Sequence, residues 1–134
     1  MRGRRRQEIG TAAAGAIALL TAACGAPRIA LNTNASVCFR ALPAAEEAVH
    51  GKGRLVGVRM VETGELAHKV PEAASLGHRH LCGVAYRADY GAGEVTGVAG
   101  DHAGRYAIVL VDRDQHVVAA FVVDGLPLRF THKI

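Results

Sequence analysis

Residues 78–82, HRHLC, place two histidines and a cysteine at intervals of two. On an extended chain that spacing turns His78, His80 and Cys82 to one side. Imidazoles at i and i+2 on a strand stand roughly 6.5–7 Å apart at Cβ, near enough to share one Zn²⁺ or Cu²⁺ ion. Cys82 lies twice as far from His78, so ligation by all three needs a bend. A complete site needs further donors, drawn from His50, His68, His102, His116, Asp101 and Glu65. None of these falls in a ligand spacing such as CxxC or HExxH. The competing reading is structural and is preferred: His78 solvated in a loop, His80 at a strand edge, Cys82 in a disulfide. Seven histidines keep metal binding open as the alternative.

Other chemistry is sparse. Asp101-His102 has the residue types of an oriented general base, but it needs a nucleophile. Beyond the first 23 residues the only serines are Ser36 and Ser75, and neither sits in a Gly-x-Ser-x-Gly elbow. The glycine-rich GAGEVTGVAG at 91–100 lacks the lysine and the Gly-Lys-Ser/Thr ending of a phosphate loop, and reads as connecting turns. The expectation is a chain without enzymatic activity.

The chain opens MRGRRRQEIGTAAAGAIALLTAACGAP. Arg2, Arg4, Arg5 and Arg6 precede a small-residue apolar run from Ile9 to about Ala23, the layout of an export signal. The run is shorter than the roughly 20 residues a membrane span requires. Leu20-Thr21-Ala22-Ala23-Cys24-Gly25 resembles the lipobox of bacterial lipoproteins, with Thr21 where that family usually has Leu. The resemblance implies removal of residues 1–23, acylation of Cys24 (palmitate or a similar chain) and anchoring to the outer face of the cytoplasmic membrane. A plain secreted protein cut after Ala23 is the alternative.

Cysteine parity agrees with lipidation. If Cys24 carries lipid, Cys38 and Cys82 remain as an even pair in an oxidising compartment. A bond between them closes a loop worth about 3–4 kcal/mol in the chain-entropy model. Processing also changes the charge. The whole chain is formally +4, but losing four arginines and Glu8 leaves 12 basic and 11 acidic residues, or +1. The basic balance thus belongs mostly to the signal, and no basic run with interleaved aromatics suggests nucleic-acid binding.

The remaining length suits one small domain, 38–134, on a tether at 24–37. Residues 41–50 predict a helix, with Pro43 in its first turn, Glu46 and Glu47 near its positive end and Gly51 as a stop. Alternation predicts strands at 54–61 and 80–88. Residues 62–78 read mainly as loop, with a helical turn within 72–76. Two apolar β-prone runs around Asp112-Arg113-Asp114-Gln115 predict a hairpin over 105–124. Its strands are apolar on both faces and therefore expected in central, covered positions. One helix cannot cover both faces, so self-association is an expectation, with the tail LPLRFTHKI as the alternative cover. Arg129, His132 and Lys133 in that tail could touch anionic headgroups, or simply be solvated.

The fold class expected is α+β: one helix on an antiparallel sheet of about four strands ending in a hairpin. The element order, with AAEEAVHGKGRLVGVRMVE leading into it, is similar to PepSY-type domains. That resemblance implies a small extracytoplasmic module of the kind that often regulates or inhibits. The expected function is non-enzymatic binding in the bacterial cell envelope, to an envelope protein or small ligand, without a cofactor. Copper or zinc binding through His78 and His80 is the alternative.

Overall fold

β3 (Gly104–Val111) carries five consecutive fully buried residues, Ala107, Ile108, Val109, Leu110 and Val111, which only a strand covered on both faces can accommodate. The computed structural model describes residues 37–127 and Phe130. The expected export signal, the lipobox-like residues with Cys24, and the expected tether to residue 36 lie outside the described residues, as do Arg129, His132 and Lys133. The described chain is α+β. Strands β1 (Arg54–Glu62), β2 (His80–Tyr90), β3 and β4 (Val117–Val123) form one antiparallel meander in chain order. Helix α1 (Leu42–Ala48) follows a 3-10 turn at Phe39–Ala41. A shorter helix, α2 (Thr63–Ala67), and a 3-10 turn at Pro71–Leu76 lie between β1 and β2.

Register sorts the side chains onto two faces. Val58, Val84 and Val109 line up across β1, β2 and β3, and Ala120 continues the row on β4. On this face α1 and its two flanking residues lay down Ala41, Ala45, Ala48 and Val49, and the alanines let the helix approach the sheet closely. The loop after β2 adds Val95, and the Thr96 amide donates to the Ala48 carbonyl at 2.9 Å. The opposite face carries Leu81, Ala85, Ile108, Leu110 and Phe121.

That second face is covered by residues of 62–78, predicted to be mainly loop, and by Phe130 of the tail expected as the alternative cover. Leu66 of α2, Val70, Ala73 of the 3-10 turn, and Phe130 are all buried against it. A second copy is thus not required to cover the hairpin. Phe130 fits because Gly83 has no side chain: a Cβ there would stand 3.0 Å from Phe130 Cζ and 2.6 Å from Val61 Cγ2.

Two further expectations are corrected. β4 is an edge strand, not a central one. Its edge is partly closed by a parallel bridge from Val98 to Ala120, with the Ala120 amide donating to the Gly97 carbonyl, so the glycine-rich loop does more than connect. Glu46 and Glu47 are exposed in the C-terminal half of α1 and do not meet its positive end, because the helix runs only seven residues from Leu42. It ends through His50 (φ 53°) and Gly51 (φ 68°), with the Gly51 amide returning to the Glu46 carbonyl at 3.0 Å.

Candidate functional site

HRHLC divides at Arg79. β2 begins at His80, so His80 and Cys82 alternate onto the α1 face, while His78 precedes the strand. Cys82 is bonded to Cys38 with a Cα–Cα separation of 5.3 Å, which fastens the start of the described chain to one end of the central strand β2. His80 lines a hollow of about 460 Å³ with Met60, Cys82, Asp112 and Arg113. His78 turns elsewhere, and its Nδ1 lies 3.1 Å from Glu62 Oε1. Among the described residues no three His, Cys, Asp or Glu side chains gather as a metal ion requires.

The other proposed donors are dispersed. His50 Nε2 lies 3.2 Å from Thr96 Oγ1 beside α1. His116 belongs to the hairpin turn, where its amide donates to Asp112 Oδ1 at 2.9 Å. Asp101 and His102 are exposed in the loop before β3, and Gly100 is left-handed there (φ 84°). Glu65 belongs to α2 and His68 follows its last residue.

Glu62 is the busiest of these groups. At the end of β1 its carboxylate accepts from the amides of Gly64 and Glu65 and so caps α2. The His78 hydrogen bond, followed by those from the Glu65 and Gly64 amides, holds its pKa below the usual 4.5. Next to it, fully buried Thr63 donates its hydroxyl to the Gly77 carbonyl and accepts from the Arg79 amide at 2.8 Å. These contacts fix the segment that precedes His80. No sequence pattern announced them, since a glutamate is an uncommon N-cap.

Two larger concavities complete the picture. A groove of about 470 Å³ runs between β1, α2 and the C-terminal segment. Its floor is apolar, from Met60, Val61, Leu66 and Phe130, and its rim carries Arg59, Glu65, His68 and Lys69. At the sheet end opposite the disulfide, Arg54, Arg87 and Arg105 line a hollow of about 530 Å³ with Ala88 and Asp89. Arg54 and Arg87 are direct register partners, and Arg87 lies over the Tyr106 ring at 5.9 Å.

What these concavities offer is charge and apolar surface. The sequence matches no family model, no curated protein and no solved structure.

Proposed function

We propose that this chain is a lipoprotein of the bacterial cell envelope, anchored through Cys24 to the outer face of the cytoplasmic membrane, whose α+β domain is a non-enzymatic binding module. The observation that carries the reading is the Cys38–Cys82 disulfide. Such bonds persist in oxidising compartments, which agrees with an exported chain. Pairing these two leaves Cys24 as the single remaining cysteine, and it sits in the lipobox-like segment. A binding role rather than a catalytic one is supported by the surface: the concavities are lined by arginines or by apolar side chains rimmed with charge. The partner is an envelope protein or a small ligand.

Mass spectrometry of the amino-terminal peptide from the envelope fraction tests the reading. The expected result is a mature chain beginning at Cys24 with acyl groups attached, and release of the protein from membranes in Cys24→Ser. An unacylated terminus, or a Cys24→Ser protein that stays with the membrane, overturns it.

A further inference from the structure

We propose that the hollow formed by Arg54, Arg87 and Arg105 is a binding site for a phosphate group. The inference deepens the reading of the domain as a binding module and rests on it.

The three arginines are far apart in sequence and meet only through the meander. Arg54 opens β1, Arg87 lies near the end of β2, and Arg105 is the second residue of β3. Arg54 and Arg87 face each other directly across the β1–β2 ladder. Like charges in that position repel, so the pair weakens the sheet locally unless an anion lies between them. Strict alternation would turn Arg105 away, because its neighbour Tyr106 is the register partner of Arg87. The register slips here, however, with Ala88 and Asp89 opposite the single Arg105. Bulges of this kind redirect side chains, and Arg105 lines the same hollow as the other two.

Charge is left over at this end. Among the described residues no carboxylate lies within 4.0 Å of any of the three guanidinium groups. Asp89 is the one acidic residue lining the hollow, leaving an excess of two positive charges. One carboxylate occupies one guanidinium fork, whereas a phosphate offers oxygens to several at once. The volume of about 530 Å³ exceeds a bare phosphate and lies in the range of small-molecule sites. Asp89 is then available to the rest of a phosphate ester. The phosphoryl group could belong to a soluble ester or to a lipid headgroup. Arg87 lies five residues along β2 from Cys82, roughly 17 Å. This end is therefore remote from the point where the chain leaves for Cys24, which favours the soluble source.

Calorimetric titration of the full-length protein in detergent with inorganic phosphate, and separately with glycerol 3-phosphate, tests the proposal. Saturable binding is expected, weakening as salt rises. It should fall about tenfold or more in Arg87→Gln and in Arg105→Gln, and less in Arg87→Lys, which keeps the charge but loses the fork. Circular dichroism of these exposed-site variants should match the parent. Titration with dihexanoyl phosphatidylglycerol below its micellar concentration separates the sources: binding lost in Arg87→Gln assigns the site to headgroups, and binding to glycerol 3-phosphate alone assigns it to soluble esters. Absence of binding to every phosphate probe, or equal binding by the glutamine variants, overturns the proposal. Neither result touches the acylation of Cys24, so the two readings fail separately.

Discussion

Glu62 and His78 face each other across the mouth of the β1–β2 connection, Oε1 to Nδ1 at 3.1 Å, while the same carboxylate caps α2. The strand end, the short helix and the entry to β2 thus share one acidic group. Its pKa is lowered in the folded chain by the His78 hydrogen bond and by the two backbone amides. A depressed carboxylate stabilises the fold above its unfolded pKa, near 4.5, and that contribution is lost as pH falls through the lower folded value. Glu62→Gln should therefore melt below the wild type at neutral pH, with the gap closing in acid below about pH 4.5. Melting curves across pH check this; a gap that stays constant into acid would mean that the charge is not what Glu62 contributes.

The disulfide should be the largest single contributor to stability. It spans 44 residues, for which the loop-entropy model gives about 4 kcal/mol. Cys38 is also fully buried. Replacing Cys38 and Cys82 together by alanine should lower the melting midpoint by roughly 15–30 °C for a domain of this size. Urea titrations of the wild type with and without reductant should show the same displacement. The double alanine variant should be insensitive to reductant.

Legibility of the sequence followed the range of the interactions involved. The strands were readable because Val, Ile, Leu and Tyr recur in uninterrupted runs, as at 106–111, and turn residues bound them. The hairpin turn was readable because Asp112 bonds to the amides of Asp114 and His116, a local habit of aspartate. α2 was not readable: it is five residues long, contains Thr63 and Gly64, and forms because Glu62 caps it and Leu66 is buried beneath it. Missing α2 also removed part of the cover for the second face, which is why association between copies, or the tail, was expected to supply it. The arginine hollow is invisible in one dimension, since it depends on strand register and on a bulge opposite Arg105. HRHLC was readable in part: the strand expected from residue 80 begins at His80 and Cys82 is in the disulfide, whereas the bond from His78 to Glu62 depends on a connection that the spacing does not show.

Gly83 offers a test of how tightly the C-terminal segment docks. A methyl group there would meet Val61 at 2.6 Å and Phe130 at 3.0 Å, closer than packed carbons allow. Gly83→Ala should destabilise the domain by about 1–3 kcal/mol through overpacking. Combining it with Val61→Ala removes the nearer contact, so the double variant should lose less than the two single losses combined. Urea midpoints of the four proteins decide it; simple additivity would show that Val61 and Gly83 do not share this space.

Tyr90 is the last case, where a buried phenol reports on the turn above it. Its ring is almost wholly buried, its hydroxyl donates to the Lys52 carbonyl at 2.6 Å, and Gly53 passes over it with φ 102°. Burial, then the neighbouring Tyr86 and Glu94, push its pKa up to about 12. A phenol whose pKa is raised on folding stabilises fully below its unfolded value of 10.0, and the contribution is lost as pH rises towards about 12. Tyrosinate absorbance should therefore show a late component near pH 12, absent from Tyr90→Phe. Loss of the hydrogen bond should cost that variant about 1 kcal/mol at neutral pH. The variant should also lack the part of the wild type's alkaline loss of stability that comes from this group. If both proteins lose stability alike between pH 10 and about pH 12, the shielded phenol is not Tyr90.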